Sequence, residues 1–465
     1  MKVTHVALRP TEASAAAGRP SLTPELLAAS GARYSRSNEG LEAILSRIDP
    51  ENLDKSVDGI FRMIDYGHQS IADMAPVALF IDGISLWLAY YAWTLCPTAG
   101  GQESSTRYIR LDEDGLVAPD VLGIPESDRE AWRQRMATAF ATYREAVTFW
   151  EKLVKADPNL ARIPRSLQED TSDKAKKAVA RMRRNYAFDR ARYFLPVAAA
   201  TNVMLVMSAR AWVMLIQHLL SHPLPEAKAL GAACREELGF SAPRLIKHAA
   251  AQPSLVQGLQ REFEAVQSLS KALPLPAGGE HAPKPSLDVL PPPGGLTDGQ
   301  AASDLALHNN RYAYFGETLR RTAVRFGWEA VAFAEIRDLN RHRTGTKYCP
   351  LVPVGFYFAT DELPSSAASA EDYTAFGETG FRASKRALQQ LGDGSPAYVY
   401  ETLLGTQYPF EHTTTADKFL YEAELRTGAG AHYQYARHLR DVLALWYDRY
   451  PATRGLVLEG SAEPE

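Results

Sequence analysis

Apolar residues recur along this chain with two periods, and the two predict different elements. From Pro24 to Tyr34 they fall at helical spacing, and a second helical pattern covers 53–66, with Ile60, Phe61 and Ile64 on one face. The opening Met1-Lys2-Val3-Thr4-His5-Val6 reads as a strand, as does 77–81, where β-branched and aromatic residues dominate. Long amphipathic patterns over 126–156, 174–192 and 202–220 predict helices. With few strands and many helices, the fold class is α/β or α+β rather than an all-helical bundle.

The pattern breaks over 273–299, a stretch dominated by Pro and Gly. Proline lacks an amide donor and glycine loses most entropy on ordering, so a linker or surface loop is expected there rather than core elements. It divides the chain into 1–265, a linker over 266–300, and 301–465. Two apolar runs, 75–95 and 194–220, are long enough to test against a bilayer. The first carries Asp82 and Pro76, the second Arg210 and Asn202, and charge at mid-bilayer is costly. Both read as buried core elements, and no membrane partner is expected.

Composition narrows the class. The chain has 465 residues, 46% hydrophobic and 23% charged, enough for more than one core. A formal charge of −4 argues against wholesale nucleic-acid binding. Cys96, Cys234 and Cys349 are far apart, so neither a disulfide framework nor a zinc knuckle is readable, and no metal site is expected. The N-terminus lacks the apolar core of a signal peptide, and a reducing cytoplasm is the expected compartment. Cys96 sits in apolar sequence and reads as a core thiol, as Trp87, Tyr90, Tyr91 and Trp93 read as core aromatics. The basic run Lys174, Lys176, Lys177, Arg181, Arg183 and Arg184 spreads over more than one helical face and reads as solvated. His218 and His222 are four apart, but Pro223 follows and no third ligand stands nearby, so a capping or surface role is expected.

Two short segments carry the chemistry. In an extended backbone, Glu103, Ser105 and Arg107 would share one face, giving a carboxylate, a hydroxyl and a guanidinium suited to a nucleotide monophosphate. The alternative is a surface Glu–Arg pair flanking a solvated loop. Far downstream stands Arg341-His342-Arg343, which alone is equally compatible with a solvated helix end.

Taken in register, the motifs resemble the flavin-dependent thymidylate synthases. The resemblance rests on Leu26 to Ser35, Tyr66-Gly67-His68-Gln69-Ser70, Gly83-Ile84-Ser85, Glu103-Ser104-Ser105-Thr106-Arg107-Tyr108, Ala191-Arg192-Tyr193-Phe194-Leu195-Pro196 and Ser208-Ala209-Arg210. It covers most of 1–240. The family's Arg-His-Arg triplet is absent where it belongs, since those positions hold Leu95, Cys96 and Pro97. The second half supplies it as Arg341-His342-Arg343 but has Leu351 in place of the following Ser, and Leu425-Arg426 with His432 and Gln434 is similar to the segment carrying a later nucleotide-binding arginine.

The resemblance therefore implies two tandem, divergent copies, each a small, mainly antiparallel sheet with long flanking helices. It implies reductive methylation of dUMP or a related uracil nucleotide, with FAD as cofactor and NADPH and methylenetetrahydrofolate as co-substrates, or else a pseudoenzyme that keeps the fold and a nucleotide. By motif position, Glu103, Ser105, Arg107, Arg192 and Arg426 would bind substrate, Arg107 and Arg426 polarising the pyrimidine. Ser35, His68, Ser70, Arg210, Arg341, His342 and Arg343 would contact the flavin. Because the family's sites lie at subunit interfaces, complementary losses imply composite sites, and a homodimer of tandem chains forming a pseudo-tetramer.

Overall fold

In the computed structural model, two antiparallel sheets are built to the same strand order. The structure describes the whole chain except residues 39, 50–51, 53–54, 56, 59, 61–68, 97, 108–110, 162, 164, 274, 277–278, 366–369, 429–430 and 461–465. The chain forms two compact units that are not contiguous in sequence. One comprises Met1–Ser104, Gly115–Pro125 and Ala200–Glu264, the other Ser105–Asp114, Glu126–Ala199 and Ala265–Glu465.

The first unit contains β1 (Lys2–His5), β2 (Pro76–Ser85), β3 (Gly100–Glu103) and β4 (Ala200–Ser208), in spatial order β1-β2-β4-β3. In β4, Thr201, Val203, Leu205 and Met207 are buried in strict alternation, the signature of a sheet with one face on a core. The helix expected over 202–220 is corrected here. Its first seven residues belong to β4, and the helix runs Ala209–Ser221. Ser208 marks the switch of period, because its hydroxyl accepts from the Ala211 amide (3.2 Å) as an N-cap. Ser85 does the same after β2, accepting from Leu88 N at 3.0 Å at the head of the Leu86–Leu95 helix. That serine is itself fixed: its amide and hydroxyl both donate to the buried Glu226 carboxylate at 2.7 Å. Register slips between Asp82 and Ile84, and Gly83, at φ +73°, absorbs the bulge.

The Pro24–Tyr34 helix is present as expected. The helix expected over 53–66 lies largely outside the described residues. Trp87, Tyr90 and Trp93 are buried, and burial pushes the Cys96 thiol up to about 12, so it is no nucleophile. His222 accepts from Leu224 N (3.2 Å) and packs on Trp87 and Tyr91.

The second unit holds β5 (Pro285–Leu290), β6 (Ala323–Ala332), β7 (Thr346–Tyr348), β8 (Gly355–Phe356) and β9 (Thr406–Thr415), in order β5-β6-β9-β7 with β8 also on β9. The order repeats that of the first sheet, and β6, like β2, shifts register near its C-terminal end, between Trp328 and Val331. The Pro/Gly-rich stretch is not wholly irregular, contrary to the expectation from composition. Pro285 to Leu290 form an edge strand on β6, which proline tolerates at a strand's first residue. Two long helices, Arg129–Ala156 and Asp173–Ala191, pack together in this unit. The first buries Trp132, Phe140, Tyr143 and Trp150, and Trp132 Nε1 donates to the Tyr400 carbonyl at 3.1 Å. On the second, Lys174, Lys176, Lys177, Arg181 and Arg184 are exposed. No helix among the described residues is long and apolar enough to cross a membrane.

Candidate functional site

The short Phe333–Leu339 helix leaves β6 with every residue buried, and it presents Glu335 and Asp338 one turn apart. Arg192, 1% exposed, reaches both: its guanidinium donates to Asp338 Oδ2 at 3.2 Å and to Glu335 Oε1 at 3.1 Å. Tyr193 OH also donates to Glu335, at 2.9 Å. Arg341 stands 3.5 Å from Asp338, one turn along. Arg426, ending the Ala416–Arg426 helix, donates from Nε to His342 Nε2 at 2.8 Å and from its terminal nitrogen to the Asp338 carbonyl at 3.4 Å. Arg107 makes a two-pronged bond to Asp189, at 2.8 and 3.1 Å.

Burial alone would raise the Asp338 carboxyl, but Arg192, Arg341, Arg426 and Arg107 together hold it well below the usual carboxylate range. Four arginines, two from each half of the chain, thus act on one buried aspartate. Glu335 goes the other way. Burial pushes it up to about 7, against the opposing pull of Arg192 and Tyr193. The Arg192 cation is itself strengthened by Asp338 and Glu335 against the cost of burial. Both carboxylates face Arg192, but Arg341, Arg426 and Arg107 favour Asp338 as well, so Asp338 is the anion and Glu335 the group that takes a proton near neutrality.

Beside this cluster lies a second buried set. His342 is held down to about 3 by burial first, with Arg426 adding to it and Glu422 opposing. Glu422 falls to about 2, because His342 and His412 outweigh its burial. His412 Nδ1 lies 3.1 Å from Glu422, and its Nε2 is 2.8 Å from the Thr344 carbonyl. Lys347 donates to the carbonyls of His342 and Thr344. Gly345, between them, has φ +66°, and a Cβ there would meet Thr413 O at 2.0 Å, so only glycine lets the triplet turn into β7.

The residues singled out from sequence divide between the units. In the second unit Ser105, Arg107, Arg192, Arg341, His342, Arg343 and Arg426 all occur; Arg343 is exposed, and Ser105 accepts from the Arg107 amide at 3.2 Å. Glu103, Ser35, Ser70 and Arg210 belong to the first unit. The single extended face expected for Glu103, Ser105 and Arg107 does not form, because β3 ends at Glu103 and the chain turns at Thr106–Arg107. Ser35 donates to Ala32 O (2.9 Å), Ser70 is exposed, and Arg210 pairs with Asp73 at 2.9 Å on the rim of a cavity of about 160 Å³. His68 lies outside the described residues. Sequence reasoning missed Asp189, Glu335, Asp338 and Glu422. Glu335 and Asp338, at helical spacing just before the triplet, were the available signal.

Residues 20–244 match the sequence model described as thymidylate synthase complementing protein. That stretch is similar to the flavin-dependent thymidylate synthases. A flavin-dependent thymidylate synthase of Clostridium tetani is 23% identical over 50% of this chain and 85% of its own length. A UPF0159 protein of Thermoplasma acidophilum is also 23% identical, over 91% of this chain and 93% of its own. Among solved structures, a flavin dependent thymidylate synthase from Helicobacter pylori, complexed with FAD and dUMP, aligns with 54% of this chain and 100% of its own. That likeness, at 15% identity and a TM-score of 0.31, bears no weight.

Proposed function

We propose that this chain is a tandem, two-copy member of the flavin-dependent thymidylate synthase family that binds dUMP or a related uracil nucleotide at the arginine cluster and methylates it reductively. The copies would be 1–265 and 301–465, joined through 266–300. One observation carries the reading: Arg107 and Arg192 from the first copy act on the same buried carboxylate as Arg341 and Arg426 from the second. Guanidinium groups crowded around one anion suit a phosphate, and Arg107 and Arg426 lie at its less buried margin. Ionic groups that polarise a pyrimidine as it is attacked would be these same two.

FAD fits the triplet only in part. Arg343 is exposed and a third of the Arg341 side chain is, which suits a diphosphate, whereas His342 is buried and committed to Arg426. When bound, the flavin would supply hydride taken from NADPH, with methylenetetrahydrofolate giving the carbon. Association of two chains into a pseudo-tetramer in the cytoplasm belongs to the same reading.

A second reading has its own support. Asp338, Glu335 and Asp189 already engage Arg192 and Arg107, as in a pseudoenzyme whose internal carboxylates have replaced substrate. Two measurements separate them. Purified protein that takes up FAD, absorbs at the flavin band and rescues a thymidine auxotroph supports methylation. Colourless protein that refuses added FAD leaves the pseudoenzyme.

A further inference from the structure

From the surface of the second unit, a line of hydroxyls leads to a fully buried carboxylate. Asp361, nearly half exposed, accepts from Tyr357 OH at 2.7 Å. Tyr357 OH is also 3.4 Å from Tyr433 OH, which donates to Tyr193 OH at 3.2 Å, which donates to Glu335 at 2.9 Å. Tyr357 and Tyr193 are buried, and Glu335 is fully so. The other Glu335 oxygen, Oε2, is buried with no hydrogen-bond partner among the described residues. Buried acceptors are normally satisfied, so an unfilled one at the end of a donor chain marks a place for a proton.

We propose that Tyr357, Tyr433 and Tyr193 form a proton relay between Asp361 at the surface and Glu335 beside the arginine cluster. A proton arriving on Asp361 passes to the Tyr357 oxygen as Tyr357 gives its own to Tyr433. Tyr433 gives its own to Tyr193, and Tyr193 gives its own to Glu335. Each tyrosine ends neutral, and the reverse sequence empties Glu335 to solvent. What moves is a proton alone, so no oxidant or reductant is needed.

The surrounding charges suit both ends. Glu335 faces Arg192, Tyr193, Asp338 and His432, the last at 3.7 Å. Asp361 and Glu362 are both clamped by Arg437, and Glu280 beside Asp361 is pushed up to about 7 by burial and then by Asp361 itself, making a carboxylate pair able to share a proton at the entrance. The Tyr433 ring lies 4.4 Å from the Arg190 guanidinium and 5.5 Å from that of Arg437, which fixes its hydroxyl in line. Tyrosines held neutral by burial pass protons without storing them, and Tyr193, Tyr357 and Tyr433 are all raised well above their ordinary value, burial being the largest cause. On the proposed function, and resting on it, the proton displaced from uracil C5 would be the one that leaves by this route.

Infrared spectroscopy of the full chain carrying ¹³C-labelled Glu tests the relay without reference to activity. The protonated-carboxyl band lost in Glu335→Gln identifies the group. Its exchange after transfer to D₂O should outpace amide exchange in the Phe333–Leu339 helix, and should slow at least tenfold in Tyr433→Phe or in Tyr357→Phe. An unchanged rate in either folded variant, wild-type exchange only as fast as the helix amides, or no such band between about pH 5 and 9 overturns the relay. Titrating dUMP into the wild-type protein separately tests the nucleotide reading. Absent binding would sink that reading while leaving the exchange contrast to decide the relay.

Discussion

The Arg426 Nε–H donates to Nε2 of His342 at 2.8 Å, so that ring nitrogen serves as an acceptor and carries no proton. His342 is thereby committed to Arg426 and made part of the scaffold that orients it. The same contact joins the two motifs of the second half that sequence alone left far apart.

A pH dependence follows. The folded His342 is held near 3 by burial, while an unfolded histidine titrates near ~6.5. For a group depressed on folding, the unfolded chain binds the extra proton, so the contribution is present above ~6.5 and is lost as pH falls towards 3. In denaturant titrations, the stability gap between wild type and His342→Asn should shrink across that window. A gap constant from pH 7 to 4 would refute the buried, neutral histidine.

Among the described residues, Arg192 is the only cation bonded to both Glu335 and Asp338. Arg192→Met leaves those carboxylates without it and should cost about 3–5 kcal/mol in chemical unfolding. Arg192→Lys keeps the charge but not the fork, so it should recover part of that loss and not all of it.

Because Asp338 shares Arg192 with Glu335 and its charge opposes ionisation there, Asp338→Asn should let Glu335 ionise in its place. In ¹³C NMR of labelled Glu, the Glu335 midpoint should fall from about 7 towards the ordinary carboxylate range. An unmoved midpoint would mean burial alone, and not competition for Arg192, sets it.

Gly345→Ala should destabilise by roughly 2 kcal/mol or more, since it adds left-handed strain to a contact of 2.0 Å with Thr413 O. Thermal unfolding measures it.

Much of the fold was legible. The Pro24–Tyr34 helix, the strand around 77–81 and the long 129–156 and 173–191 helices follow from periodicity, which burial directly enforces. The strand within 202–220 was hidden because β4 and the helix after it are both apolar, so the change of period from two to 3.6 is marked only by Ser208. β5 was hidden because composition reports what prolines forbid, and an edge strand forbids little. Of the site, the arginines were visible as motifs and their counter-charges were not. Asp189 is a single acidic residue whose importance, like that of the Glu335–Asp338 pair, arises only when the helices around 173–191 and 333–339 pack into one unit.

The central claim is that arginines from both halves serve one nucleotide. Calorimetric titration of dUMP into wild type, Arg107→Ala and Arg426→Ala tests it most directly. The account predicts binding by the wild-type protein that weakens with salt and drops by at least about tenfold in each variant, one broken charge-assisted contact being worth ~1.5–3 kcal/mol. A loss confined to one variant, or no binding by the wild type, would contradict it.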